Sequence, residues 1–253
     1  MKITFLGTGT SQGVPVIACQ CPVCLSDDPR DKRLRSSVLV QTQERAFVID
    51  TGPDFRTQML THGVRKLDFV LFTHAHKDHT AGMDDVRAFN YQTDGPMPVY
   101  ATRETWTVLE REFYYVFNGS DYPGIPKIER HLIGGEPFSA CDLDVVPIPV
   151  LHYKMPVLGF RIGDFAYVTD ASVIPESSMQ RLQNLEVLVL NALRKEKHIS
   201  HFNLEEALAV VTALKPKTAY FTHVSHLMGK HDDVSPELPA NVRFAHDGLV
   251  VEI

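Results

Sequence analysis

The sequence predicts a single α+β domain spanning residues 1–253, and three observations lead to that prediction. The length and an apolar content of 44% are sufficient for one large hydrophobic core. Short apolar runs, bounded by glycine, proline and polar residues, are typical of strands, and several are close enough to pair as hairpins. Segments with helical periodicity alternate with these runs. Together the patterns indicate a fold that combines sheets and helices.

The first half of the chain contains five predicted strands and three predicted helices. The strands are at residues 3–6, 37–41, 46–49, 69–72 and 99–101, and the helices at 54–60, 82–91 and 103–117. A polar turn joins the second and third strands, which predicts a hairpin. The glycine-rich turn at 7–15 lacks the spacing and the lysine of a nucleotide-binding loop. Residues 118–126 are predicted to form a loop, and the aromatic residues around it are predicted to pack in the core.

The second half is predicted to contain six strands and one well-marked helix. The strands are at residues 143–150, 158–162, 165–169, 185–190, 218–222 and 249–253. A hairpin is predicted where Gly163 and Asp164 separate the second and third of these runs. The helix at 203–214 is expected to begin with a capping box, because Asn203 is followed three residues later by Glu206.

Charge and hydropathy argue against two classes of partner. The net charge of −6, without a block of like charges, does not favour broad electrostatic binding of nucleic acid, so no extended nucleic-acid partner is expected. No apolar run reaches the ~18 residues that a membrane-spanning helix needs. The first residues enter a strand-like segment and do not resemble a signal peptide. We therefore expect a cytoplasmic protein that has no membrane partner.

A dense group of metal-binding side chains follows the predicted strand at 69–72. Within six residues the chain carries His74, His76, Asp78 and His79. No amphipathic helix or strand requires so many imidazoles in one place, whereas a loop at a strand end can turn them towards one point. Imidazole nitrogen and carboxylate oxygen suit Zn, Mn or Fe. A histidine-rich surface loop is the alternative interpretation.

Further histidine and aspartate residues follow other predicted strands. His152, Asp170 and His223 each lie within a few residues of a strand end, and with the dense loop they supply seven candidate ligands. Seven ligands are enough for a two-metal site with room for water. Asp50 also ends a strand, and it is either a turn-forming residue or an acceptor for the N–H group of a ligating imidazole.

Three of the four cysteines form a separate cluster near the start of the chain. Cys19, Cys21 and Cys24 have C-x-C-x2-C spacing, which in a reducing compartment favours thiolate coordination over disulfide formation. Such a cluster needs a fourth ligand from elsewhere in the chain. Cys141 precedes a strand-like run and is predicted to be a small buried apolar residue.

The complete ligand pattern resembles that of the metallo-β-lactamase superfamily. The H-x-H-x-D-H run, followed by His152, Asp170 and His223, covers most of the chain. The resemblance implies a four-layer αβ/βα sandwich, in which two mixed β-sheets face each other and helices flank them. A narrower similarity, in the glycine turn, the cysteine cluster and the segment 222–226, is to the phosphoribosyl cyclic phosphodiesterases of the carbon-phosphorus lyase pathway.

This resemblance also implies specific roles for individual residues. One divalent metal ion, Zn or Mn, would be held by His74, His76 and His152, a second by Asp78, His79 and His223, and Asp170 would bridge them. A structural zinc would be held by Cys19, Cys21, Cys24 and His226. Asp78 and His201 are the candidate catalytic residues, with His201 as general acid, and the role of His198 is left open. A hydroxide bridging the two ions would attack a small phosphodiester, cyclic or linear, and a homodimer is suggested by analogy.

Other members of the superfamily provide the competing interpretations. An RNA 3′-processing endonuclease, a thioesterase or a lactonase would use the same ligands. A di-iron oxidoreductase is a further alternative, although such enzymes generally carry a flavin-binding domain for which this chain leaves little room. A non-catalytic binding protein would be expected to have lost ligands, and all seven are present.

Overall fold

Two seven-stranded β-sheets form the centre of the protein, as seen in a computed structural model that describes residues 1–93, 95–119 and 122–253. The first sheet contains β1 (Lys2–Gly7), β2 (Ser37–Gln41), β3 (Ala46–Ile49), β4 (Phe69–Leu71), β5 (Met97–Ala101), β6 (Ile128–Leu132) and β14 (Val250–Glu252), in the order β14-β1-β2-β3-β4-β5-β6. The second contains β7 (Phe138–Ala140), β8 (Leu143–His152), β9 (Met155–Ile162), β10 (Phe165–Val168), β11 (Val187–Asn191), β12 (Thr218–Thr222) and β13 (Val242–Phe244), in the order β13-β12-β11-β10-β9-β8-β7. The middle of the predicted loop at 118–126 lies outside the described residues.

Both sheets are mixed, and their parallel strands determine where loops meet. In the first sheet β3, β4, β5 and β6 run parallel, and in the second sheet β10, β11, β12 and β13 do so. The remaining neighbours are antiparallel. Because parallel strands end at the same edge of a sheet, the loops after β10 and β12 leave at one edge, with β11 between the two strands.

Helices cover the outer faces of both sheets. The α-helices are α1 (Phe55–Thr61), α2 (Lys77–Thr80), α3 (Arg87–Thr93), α4 (Arg103–Glu112), α5 (Tyr114–Phe117), α6 (Glu176–Arg181), α7 (Leu204–Leu214) and α8 (His231–Val234). Short 3₁₀ turns occur at Pro29–Asp31, Met83–Val86 and Ser235–Glu237. Among the described residues, no helix combines the length and apolar character that crossing a membrane requires.

Alternation of side chains along the strands produces one core between the sheets and one outside each of them. In β4, Phe69 and Leu71 face the central core, whereas Val70 packs outwards with helices α1 and α4. The second sheet packs outwards in the same way against α7, where Val211 lies in the same cluster as Leu190. The predicted four-layer sandwich of two mixed sheets flanked by helices is thus confirmed.

Several local predictions differ from the structure. The helix predicted at 103–117 is divided at Phe113, whose backbone leaves the helical region and whose side chain is buried. The helix predicted at 82–91 begins as a 3₁₀ turn and becomes α-helical only at Arg87. The prediction for Cys141 was wrong in part, because this residue is half-buried in a turn with a φ of 47°. Strands β6, β7 and β13 and helices α2, α6 and α8 were not predicted, and α2 carries Asp78 and His79, which were expected to lie in a loop.

Candidate metal centre

The predicted ligands meet where strands from both sheets end. β4 leads into a loop with His74 and His76 and then into α2, which carries Asp78 and His79. β8 ends at His152, and Asp170 and His223 follow β10 and β12 within two residues. The two sheets are connected at this edge, because the N–H of Leu158 in β9 donates to the carbonyl of Thr73 at 3.1 Å. The side chains therefore project from rigid elements on both sides of the central core.

The first ligand group consists of three imidazoles and one carboxylate. Its members, His74, His76, His152 and Asp170, place one donor atom each within 4.8 Å of one another. Nε2 of His74 lies 3.0 Å from Nδ1 of His76 and 3.8 Å from Oδ2 of Asp170. Nitrogen and oxygen donors at these separations could hold one divalent cation.

The second ligand group lies beside the first and shares Asp170 with it. Its members, Asp78, His79, Asp170 and His223, also have donor atoms within 4.8 Å of one another. Nε2 of His79 lies 3.3 Å from Asp78 Oδ2 and 3.4 Å from Asp170 Oδ2. The other oxygen of Asp170, Oδ1, lies 3.2 Å from Nδ1 of His223. The carboxylate of Asp170 is therefore in contact with both groups.

Hydrogen bonds behind two of the imidazoles, those of His79 and His152, determine which of their nitrogens faces the centre. Nδ1 of His79 donates to Oδ2 of Asp50 at 2.6 Å, and Nδ1 of His152 donates to the carbonyl of Ser200 at 2.7 Å. A carboxylate or a carbonyl can only accept, so Nδ1 of each of these two histidines carries a proton and Nε2 is the nitrogen that faces the centre. Asp50 is thus located as the acceptor that the sequence suggested, and it also accepts from the N–H and hydroxyl of Thr73.

The charge distribution of the centre favours a cation. Burial lowers the pKa of His74 and lowers that of His223 to about 4. Both imidazoles are therefore neutral at pH 7, and each has a nitrogen lone pair that a metal ion can bind. Burial alone would also lower the pKa of His79, but surrounding carboxylates outweigh it and hold that pKa well above its ordinary value. These carboxylates are Asp170, Asp78 and Asp50.

The buried Nε2 atom of His79 makes no hydrogen bond within the described part of the chain. Its approaches to two carboxylates lack hydrogen-bond geometry, and an unpartnered polar atom in a fully buried site is costly. A cation at this position would satisfy the imidazole lone pair and neutralise the carboxylates. The residues present therefore fit divalent metal ions.

The backbone around the centre is closely packed. A Cβ atom added to Gly52 would lie 2.2 Å from the carbonyl oxygen of Asp78, so only glycine allows this approach. The N–H of Thr51 donates to the carbonyl of His79 at 2.8 Å in the same region. Asp50 and His223 both adopt left-handed backbone conformations, with φ of 67° and 55°, which is uncommon for residues other than glycine.

The three clustered cysteines converge on His226. Their Sγ atoms lie 3.3 Å (Cys19), 3.3 Å (Cys21) and 3.5 Å (Cys24) from Nδ1 of His226. A tetrahedral zinc with Zn–S bonds of about 2.3 Å and a Zn–N bond of about 2.0 Å would place sulfur and nitrogen about 3.5 Å apart. The four donor atoms therefore match the dimensions of a zinc site without rearrangement.

The ionisation of the cysteines is consistent with a bound cation. The backbone N–H of Cys24 donates to the sulfur of Cys21 and helps to lower the pKa of Cys21 to about 6. Burial, with a smaller contribution from the neighbouring thiols, raises the pKa of Cys24 to about 11. Several adjacent thiols cannot all ionise unless positive charge lies between them. The cluster thus has the chemistry of a thiolate metal site.

The two ligand clusters are connected through the segment after β12. His223 belongs to the second ligand group and His226, three residues later, belongs to the cysteine cluster. Between them, the N–H of Val224 donates to the carbonyl of Thr8 at 2.9 Å, which attaches this segment to the glycine-rich turn. The two clusters are therefore separated by only two residues of backbone, which are attached to the glycine-rich turn.

His201 lies beside Asp170, the carboxylate that the first and second ligand groups share. Its Nε2 atom is 3.2 Å from Oδ2 of Asp170, and its ring stacks on that of His223 with centroids 5.0 Å apart. His198 lies behind it and does not belong to either ligand group. The sequence reasoning did not identify three polar contacts of this site, from Thr73, Ser200 and Ser36. The position of Thr73 directly before His74 could have suggested the first contact, whereas the sequence has no signal for the carbonyl of Ser200 or for Ser36.

Comparison with known proteins identifies the family. Residues 45–224 match the sequence model of a beta-lactamase superfamily domain. The structure resembles that of a diphosphatase from the PhnP family, with 41% identity, a TM-score of 0.94, and coverage of 100% of this chain and 96% of the other. It also resembles the short form of human tRNase Z, with 17% identity, a TM-score of 0.73 and coverage of 100% and 99%, which indicates a shared fold.

Two relatives of known sequence extend the comparison. An octanoyltransferase of Porphyromonas gingivalis is 35% identical over 98% of this chain, which spans only 51% of the relative. Ribonuclease Z of Mycobacterium bovis is 28% identical, over 90% of this chain and 88% of the relative. The family match, the PhnP-family structure and the ligand geometry agree. The chain therefore belongs to the beta-lactamase superfamily, and it resembles a PhnP-family structure in both sequence and fold.

Proposed function

We propose that this protein is a phosphodiesterase with two metal ions, acting on a small phosphodiester, cyclic or linear. The observation that supports this most strongly is the position of Asp170, whose two carboxylate oxygens contact both ligand groups. A carboxylate shared between two sets of imidazole ligands is the arrangement that a dinuclear site requires. His201 lies directly beside it.

The ligands divide into two sets around this carboxylate. His74, His76 and His152 would hold one ion, Asp78, His79 and His223 would hold the other, and Asp170 would bridge them. Divalent ions bound there would supply an activated water and positive charge for the phosphoryl group. The protein's own contribution is to fix the direction of each donor, through Asp50 behind His79 and the carbonyl of Ser200 behind His152.

His201 is placed to donate a proton to the leaving group. Its Nε2 atom faces Asp170 and makes no hydrogen bond within residues 1–93, 95–119 and 122–253. An alkoxide is a poor leaving group unless it is protonated, and an imidazole at this position can supply that proton from Nε2. Asp78 belongs to the opposite ligand set, where burial would raise its pKa but His79 outweighs burial and keeps the carboxylate ionised.

A structural zinc at the cysteine cluster is the third part of the proposal. It would attach the loop at 19–24 to His226 and so hold the segment after β12 in place. This segment also carries His223, so the structural site would support the geometry of the dinuclear one. Its role in the reaction would be positional.

The relatives leave an alternative substrate open. The PhnP-family structure is described as a diphosphatase, and the mycobacterial relatives as ribonuclease Z. A phosphodiester and a diphosphate present the same negatively charged phosphorus centre, and both are consistent with the proposed site. RNA processing is less well supported, because the net charge of −6 does not favour a large polyanionic substrate.

Metal analysis combined with parallel hydrolysis assays tests the proposal. The substrates are bis(p-nitrophenyl) phosphate, a diphosphate diester, a precursor transfer RNA, an octanoyl thioester and a lactone. We expect metal-dependent cleavage of the small phosphodiester at a rate well above that of the thioester and the lactone. Preferential cleavage of the transfer RNA would support the endonuclease alternative, and activity on the thioester alone would overturn the proposal.

A further inference from the structure

The short turn at residues 198–201 connects the candidate general acid to a second histidine that has no assigned role. In this turn His198, Ser200 and His201 form a closed set of hydrogen bonds on the side of His201 that faces away from Asp170. We propose that His198 is a positioning residue that, together with Ser200, fixes the tautomer of His201 so that Nε2 is the reactive nitrogen. The functional consequence rests on the proposed role of His201, whereas the tautomer itself does not.

The direction of these hydrogen bonds follows from one backbone contact. The N–H of Ser200 donates to Nδ1 of His198 at 3.3 Å. A backbone N–H cannot accept, so Nδ1 of His198 must be unprotonated and present its lone pair. Nδ1 of His201 lies 3.3 Å from the same atom. Two lone pairs facing each other at this distance would repel, so Nδ1 of His201 must carry a proton.

The hydroxyl of Ser200 completes the same arrangement. Its Oγ lies 3.0 Å from Nδ1 of His201 and 3.2 Å from Nδ1 of His198. The hydroxyl can accept from Nδ1 of His201, and its own hydrogen can share the single lone pair that Nδ1 of His198 offers to the backbone N–H. If the hydroxyl instead donated to Nδ1 of His201, the lone pairs of the two Nδ1 atoms would face each other at 3.3 Å, so the first arrangement is favoured.

This tautomer leaves Nε2 of His201 for chemistry. Nε2 faces Asp170 at 3.2 Å, is buried, and makes no hydrogen bond among the described residues. Because Nδ1 donates towards Ser200 and His198, Nε2 is the nitrogen that faces the ligand groups. A histidine with the opposite tautomer would direct its mobile proton away from the ligand groups and towards His198.

The same turn also fixes a ligand of the first group. The carbonyl of Ser200 accepts from Nδ1 of His152 at 2.7 Å, and the rings of His152 and His201 lie 4.6 Å apart. The backbone of the turn and the side chains behind it thus orient a metal ligand and the candidate acid together. His198 differs from both because it is only partly buried and lies outside the ligand groups.

Asparagine and alanine at position 198 provide a matched pair of variants. The side-chain oxygen of asparagine can accept from a backbone N–H two residues later, as Nδ1 of His198 does here. His198→Asn should therefore retain both the turn and the tautomer of His201. His198→Ala removes the acceptor while leaving Ser200 and His201 in the chain.

Nitrogen-15 NMR of histidine-labelled protein, prepared with diamagnetic zinc, tests the tautomer directly. The His201 signals are assigned by their loss in His201→Ala. In the wild-type protein and in His198→Asn we expect the neutral imidazole of His201 to be protonated at Nδ1, whereas His198→Ala should shift it towards a mixture of tautomers. Protonation at Nε2 in the wild-type protein, or an unchanged tautomer in His198→Ala, would overturn the proposal.

Kinetics with two leaving groups separate this proposal from the proposed function. p-Nitrophenolate leaves without a proton, whereas the alkoxide of a 2′,3′-cyclic nucleotide needs one. His198→Ala should lower kcat for the cyclic nucleotide on the order of ten-fold, with KM and metal content nearly unchanged, and should have little effect on bis(p-nitrophenyl) phosphate. The loss should disappear in a His201→Ala background, and an equal loss on both substrates would count against the proposal. If the wild-type protein cleaves neither substrate, the proposed function fails and the NMR result still decides the tautomer.

Discussion

Asp50→Asn should weaken metal binding although the changed residue is not a ligand. Oδ2 of Asp50 accepts from Nδ1 of His79 at 2.6 Å and from the hydroxyl of Thr73 at 2.8 Å. An asparagine can keep an oxygen facing Nδ1 of His79 only by turning its NH2 group against the backbone N–H of Thr73, which donates to Oδ1 of Asp50 at 2.9 Å. In the other orientation the NH2 group faces His79, which must then accept at Nδ1 and carry its proton on Nε2, the atom that faces Asp78 and Asp170. A protonated Nε2 cannot ligate a metal ion.

The size of the effect follows from this reversal of the tautomer. Removing the partner behind a metal-ligating histidine typically costs 10–100-fold in metal affinity, which corresponds to about 1.4–2.7 kcal/mol. Asparagine has nearly the same shape as aspartate and tolerates the left-handed backbone, where φ is 67°, so little of the loss should come from refolding of the chain. We expect the weakening in the group that contains His79, with the cysteine cluster unaffected.

Titration of the metal-free protein with zinc, in competition with a chelating dye, measures this loss. Asp68→Asn is the matched control, because Asp68 is a largely buried carboxylate that accepts from the N–H of Ala46 at 2.7 Å, at the opposite end of β4 from the metal loop. The control should bind zinc as the wild-type protein does. Equal affinities in wild-type protein and Asp50→Asn would refute the reasoning about the His79 tautomer.

Four further outcomes are expected. Cys21→Ser should lower the metal content by one ion per chain and reduce activity, and an unchanged metal content by mass spectrometry would exclude a metal at the cysteine cluster. His201→Ala should retain its metal but lose turnover by ~10²–10⁴-fold on substrates with alkoxide leaving groups, whereas substantial metal loss would contradict its assignment as general acid. Gly52→Ala should weaken metal binding, because the added Cβ would lie 2.2 Å from the carbonyl oxygen of Asp78. The control Gly134→Ala, whose Cβ would have no neighbour within 4 Å, should bind metal as the wild-type protein does. Equal metal affinities of the two variants would be evidence against the close approach. Chelation should lower the Tm by a few degrees, since metal at ~100-fold above Kd contributes about 2.7 kcal/mol, and a Tm that is independent of metal would argue that no site is occupied in the folded state.

The sequence predicted those elements whose signal is local. The hairpin strands β2 and β3 have the predicted bounds, because both are apolar and a polar turn separates them. Helix α7 has the predicted capping box between Asn203 and Glu206. Strand β6 was missed because it lies at the edge of the first sheet and most of its side chains are exposed or half-buried, so its sequence has no apolar pattern.

The candidate site was predictable in composition but not in geometry. Individual residues such as Asp170 and His223 stood out because each follows a strand, and the dense histidine loop has no structural explanation of its own. Their convergence depends on which strands are neighbours, and that pairing is set by contacts between residues far apart in the chain. The resemblance to a known family supplied it. The carbonyl of Ser200, which orients His152, could not have been predicted because a backbone carbonyl has no sequence signal.

Anomalous diffraction from crystals of the metal-loaded protein tests the central claim most directly. We expect two peaks on either side of Asp170, within reach of the two ligand groups, and a third between His226 and the three clustered cysteines. A single peak beside Asp170, or His152 and His223 turned away from any peak, would contradict the dinuclear centre on which the proposed function depends.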